Sequence, residues 1–130
     1  MEARKGGVVA GRLNDETLER TLAYGERILH VAETLSKQGR HSRVISQLVG
    51  SGTSVDANLH EANEAMSRSD FVKCLCIGVK ELSETRYWLK LISRMKYVEP
   101  GRLQPLLDET QELIAITKTL IARVRRKPPT

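Results

Sequence analysis

FVKCLCIGVKELSETRYWLKLI, residues 71–92, is the stretch whose reading decides the fold. Phe71, Leu75, Gly78, Leu82, Thr85, Leu89 and Ile92 recur in steps of four and three, the spacing that lines up side chains on one face of an α-helix. A half-buried strand would alternate every second residue instead. Ahead of the run, Ser67-Arg68-Ser69-Asp70 spells a capping box, and Met66 and Phe71 stand at the spacing of a hydrophobic staple around it. Tyr97-Val98-Glu99-Pro100-Gly101 then ends the helix.

The same periodicity appears on either side. Val44, Leu48, Gly52, Val55, Leu59, Ala62 and Met66 predict a preceding helix that starts near Ser42. Its Gly50 and Gly52 weaken it by about 1 kcal/mol each relative to Ala. They mark either a tolerated weak spot or the close approach of a neighbouring backbone. Nearer the N-terminus, Asn14 is a good N-cap, Asp15 and Glu16 favour the helix dipole, and Leu13 and Leu18 form a staple. The expected stripe there is Leu18, Leu22, Ile28, Leu29, Ala32 and Leu35, with Gly39 as the stop. Beyond residue 100, Leu103, Leu106, Thr110, Leu113, Thr117, Leu120 and Val124 predict a last helix, and Pro105 must fall in its first turn or kink it.

Four amphipathic helices with short connections predict an all-α, antiparallel up-down-up-down four-helix bundle. The bundle is expected over residues 13–127, after a flexible Gly-rich tail at 1–12 and before a C-terminal tail at 128–130. A chain of 130 residues is one domain's worth and can bury a core unaided. The two cysteines, Cys74 and Cys76, point to nearly opposite sides of a helix and cannot bond to each other. They read as small packing residues in a reducing compartment. No signal-peptide core follows Arg4 and Lys5, and no apolar run reaches membrane-spanning length. The expectation is a soluble, cytoplasmic protein.

Beside the main stripe of residues 71–92, Ile77, Trp88, Leu91 and Met95 form a second apolar stripe on an adjoining face. Either the core contact is wide or a second copy of the chain covers it. Self-association is the expected answer, with these residues as the contact.

The net charge of +5 is unevenly spread: residues 1–65 hold 8 Lys/Arg against 9 Asp/Glu, and residues 66–130 hold 13 against 7. Lys73, Lys80, Tyr87 and Arg94 fall opposite the core stripe, with Arg86 and Lys90 on its flank. Arg123, Arg125, Arg126 and Lys127 crowd the end of the last helix. Such cations neutralise phosphates by counterion release, and an exposed Tyr stacks on bases. The other reading is a solvated face, with end cations that complement the helix dipole.

Ser51, Ser54, Asn58 and Glu61 place polar groups beside the core of one helix, and Glu81 flanks the core stripe of the next in the same way. Asn58, Glu61 and Glu81 are expected to form interhelical hydrogen bonds, since half-buried polar groups need partners and no nucleophile or base accompanies them. A carboxylate-bridged metal pair needs Glu-x-x-His on two helices, but the matching positions read Glu61-x-x-Glu64 and Glu81-x-x-Glu84. His30, His41 and His60 are not spaced as ligands. No catalytic residue, cofactor, metal or small-molecule substrate is expected, and the chain reads as a non-enzyme.

Residues 51–58 (SGTSVDAN), Glu61-Ala62, Ser69-Asp70-Phe71 and residues 80–89 (KELSETRYWL) form a distinctive set. The chain resembles the bacterial four-helix-bundle family first noticed as proteins encoded in intervening sequences of 23S ribosomal RNA genes. The likeness runs over about residues 13–127. The same fold group includes the accessory variability determinant of diversity-generating retroelements, similar around Tyr87-Trp88-Leu89 and in the helix end at residues 121–127. The resemblance implies a homopentameric barrel of bundles. Its retroelement branch implies a basic surface that binds RNA or DNA and a reverse transcriptase. A scaffold without nucleic-acid binding is the alternative.

Overall fold

The computed structural model describes residues 12–39 and 41–126. The tails therefore fall outside the described residues, apart from Arg12, and so does Lys127. Four helices follow in order: α1 Asp15–Lys37, α2 Ser42–Ala62, α3 Arg68–Arg94 and α4 Pro100–Arg126. Each packs against the next in an all-α antiparallel bundle, and α1 meets α4 along the sparsest seam. No helix among the described residues is long and apolar enough to cross a membrane.

The caps sit where the sequence places them. The Asn14 side chain accepts from the Thr17 backbone N–H at 2.8 Å, and that of Ser67 accepts from Asp70 at 3.0 Å. Gly39 takes a φ of +67°, a left-handed geometry that suits glycine after a helix end. The main stripe of α3, from Phe71 to Ile92, is buried at every predicted position.

Several expectations need correction. In α1, Leu22 and Leu29 are 50% and 44% exposed, while Thr21, Tyr24 and Gly25 take the inner face. The physical reason is close packing. A Cβ on Gly25 would collide with the Asp56 carboxylate of α2, so small residues, not leucines, line that contact. Met66 is 95% exposed in the α2–α3 turn and staples nothing. Leu120 is half-buried, and Ile114 and Ile121 join the α4 core. Pro105 lies past the first turn of α4, whose leading residue is Pro100, a favourable first position for proline. Its missing N–H leaves the carbonyl of the exposed Gly101 without its partner within the helix.

The two α2 glycines separate cleanly. A Cβ on Gly52 would come within 2.7 Å of Ile28 Cγ2, so α1 and α2 need glycine there to approach. A Cβ on Gly50 would meet nothing within 4 Å.

The buried polar bonds between helices run through hydroxyls and one amide. Thr85 Oγ1 donates to Ser51 Oγ at 2.9 Å, and Tyr24 and Thr110 share a 2.7 Å hydroxyl bond. Asn63 accepts from Leu13 N at 2.9 Å and donates to Leu13 O at 3.1 Å. The predicted Asn58, Glu61 and Glu81 network is replaced by these. Asn58 Nδ2 donates to Ser54 O of its own helix, and Glu61 is exposed. Glu81 is half-buried, and burial, with help from Glu84, raises its carboxyl above the usual range.

Candidate nucleic-acid interface

A helix buried along one stripe must present the opposite stripe to water, and on α3 that stripe is basic. Lys73, Lys80, Tyr87 and Arg94, spaced seven apart, are all exposed, as is Lys90. The row spans about 31 Å at the helical rise. Arg86 is half-buried and leans toward α4, donating to Gln111 Oε1 at 2.6 Å. Arg125 of α4 leans back toward α3, with its guanidinium 3.7 Å from Cys76 Sγ.

Those two contacts fix the register of the face. On α4, Gln104, Gln111, Lys118 and Arg125 also recur every seventh residue, so they form one row beside α3. Two grooves open between the rows. One, of about 740 Å³, is lined by Arg68, Lys73, Cys76 and Arg125 among others. The other, of about 400 Å³, is lined by Arg86, Lys90, Arg94, Gln104, Asp108 and Gln111 among others. Among the described residues, Asp108 is the one acidic side chain lining either groove.

Lys73, Lys80, Lys90, Arg94 and Lys118 make no ion pair among the described residues. Their charge is available to an outside anion. The contrast lies on the other side of α4, where Arg20 of α1 bonds Glu109 at 2.7 Å and Glu112 at 2.8 Å. The Glu109 bond, then the Glu112 bond, raises the Arg20 guanidinium above its ordinary pKa.

The cations at the end of α4 do not form one cluster. Arg125 joins the α3–α4 groove, whereas Arg123 lines a groove on the α1 side with Arg12 and Thr17. Arg126 is exposed. Lys118 was not singled out from the sequence, although its place seven residues before Arg125 was a readable signal.

The second stripe of α3 flanks the basic row on the α2 side. Ile77, Trp88 and Leu91 are half-buried, and Met95 is 53% exposed. Trp88 packs against the core cluster, and its buried Nε1 has no hydrogen-bond partner among the described residues. The cysteines part as expected: Cys74 is half-buried, Cys76 exposed, and both are free. Burial, with Glu61 and Asp70 nearby, raises the Cys74 thiol. Among the described residues no three His, Cys, Asp or Glu side chains gather in a way that would hold a metal ion.

Comparison with known proteins bears on this geometry. A family model described as 23S rRNA-intervening sequence protein matches residues 15–119. The chain belongs to that family. A crystal structure of an S23 ribosomal protein family member of unknown function from Bacteroides thetaiotaomicron superposes on this intervening-sequence protein with a TM-score of 0.78. The two are 30% identical, over 81% of this chain and 97% of the other. The comparison with curated proteins yields no match. The match at residues 15–119 covers α1 to α3 and most of α4, so it takes in the whole basic row of α3 and Lys118.

Proposed function

We propose that this intervening-sequence protein is a non-enzymatic cytoplasmic homo-oligomer that binds the backbone of RNA or DNA through its α3–α4 face. The observation that carries the reading is the set of exposed cations on that face without counterions in the fold. Phosphates are the commonest ligand of such a surface, and each one neutralised releases counterions. The family's description, which names ribosomal RNA, favours RNA as the first partner to test.

Assembly follows from the apolar surface. A closed ring joins two unlike patches, and the chain carries two. One is the α3 stripe of Ile77, Trp88, Leu91 and Met95; the other is Leu22 with Leu29, seven apart on α1. A pentamer is the proposed count. A ring repeats each basic face, so weak single contacts add by avidity.

Two measurements on the purified protein test the reading. Light scattering should give a mass well above 14.6 kDa, and Trp88→Asp should reduce it. RNA affinity should fall linearly in log Kd against log salt. A monomer removes the ring, and no RNA binding at low salt leaves a protein-interaction scaffold in its place.

A further inference from the structure

We propose that the α3–α4 face takes single-stranded nucleic acid, with one base stacked on Tyr87. The inference rests on the backbone-binding reading above and names the class of strand.

Tyr87 occupies the third place in the row Lys73, Lys80, Tyr87, Arg94, and it is 55% exposed. The other aromatics are placed differently: Tyr24 and Phe71 are buried, Trp88 and Tyr97 half-buried. More than half of the residue faces water, and its place in a row of cations suits a ligand with both a charge and a flat face. A strand with unpaired bases has both.

The ring is also held. Trp88 meets it edge-on, with centroids 4.9 Å apart and planes at 72°. Such a T-shaped contact covers at most one face of Tyr87, and the residue stays 55% exposed. Lys80 and Arg94 lie about 10 Å to either side along the helix, and Lys90 lies one turn away. A backbone held by Lys80 and Arg94 passes over the exposed Tyr87. A duplex brings the same phosphates but keeps its base faces stacked on one another, so it gains from the cations and not from the tyrosine.

The test uses the full chain with a labelled, unstructured RNA strand and an RNA duplex of equal length, at low salt. Tyr87→Ala should weaken the single strand about tenfold and the duplex less than about twofold. Tyr87→Phe should restore the single strand to near wild type, since it keeps the ring face. The salt slope should stay the same in both variants, because no phosphate contact is lost. Trp88, the only tryptophan, touches the ring, so its emission should change on single-strand binding and not on duplex binding. Equal weakening of both probes by Tyr87→Ala, or no weakening of either, overturns the stacking inference alone. So does a wild type that binds only the duplex. A wild type that binds neither overturns this inference together with the backbone-binding reading.

Discussion

Arg20 and Arg86 both reach across to α4, and what they find there differs. Arg20 meets two carboxylates, Glu109 and Glu112, on the side of α4 that faces α1. Arg86 meets the neutral amide of Gln111 on the side that faces α3. One helix thus divides its side chains by face: Glu109 and Glu112 toward α1; Gln104, Asp108, Gln111, Lys118 and Arg125 toward α3. The α1–α4 seam is the sparsest contact in the bundle, and its ion pairs and the Tyr24–Thr110 bond help to close it. Because α4 turns Glu109 and Glu112 toward that seam, the α3 side keeps cations with little acid to neutralise them. Paired charge holds the fold, and the charge on the α3 row has no ion-pair partner among the described residues.

The sharpest way to break this contrast is to remove the paired arginine. Arg20→Ala leaves Glu109, only 18% exposed, beside Glu112 without its cation. Denaturant unfolding should show a loss of about 1–3 kcal/mol, in the range for hydrogen bonds to charged groups. Lys80→Ala on the open face should change stability by less than about 0.5 kcal/mol. Equal losses would mean that the two faces are not different in kind.

A smaller effect concerns Asp56, the carboxylate that abuts Gly25. Its Oδ1 is buried without a hydrogen-bond partner, and burial raises its pKa above the usual aspartate range. The stability it contributes is therefore present below the ordinary aspartate pKa and lost as pH rises through the higher folded value. Asp56→Asn removes that loss. The variant's Tm relative to wild type should rise as pH climbs from below the ordinary aspartate pKa through the higher folded value. A difference that does not move with pH would show that Asp56 ionises as freely in the fold as outside it.

The sequence made α3 fully legible because its inner positions keep the four-and-three spacing without a break from Phe71 to Ile92. It misled in α1, where apolarity points to Leu22 and Leu29 but close packing selects Thr21 and Gly25. That choice depends on what α2 brings opposite, which α1 alone does not encode. The polar network failed for a related reason. Carboxylates and amides draw the eye, whereas the buried bonds between helices use Thr85, Ser51, Tyr24 and Thr110, whose pairing is a property of two helices at once. The basic row on α3 was readable from spacing alone. Its continuation through Lys118 to Arg125 is hidden by the crowding of cations at residues 123–126, since neighbours in the chain such as Arg123 and Arg125 face different grooves.

The central claim, that unpaired cations on the α3–α4 face hold phosphates, is tested most directly by the salt dependence of RNA affinity in wild type and in Lys73→Ala/Lys80→Ala/Arg94→Ala. All three positions are exposed, so the triple variant should fold as wild type does. The slope of log Kd against log salt should become shallower by about two or more, as each lost cation removes one phosphate contact. An unchanged slope in a folded triple variant would contradict the account.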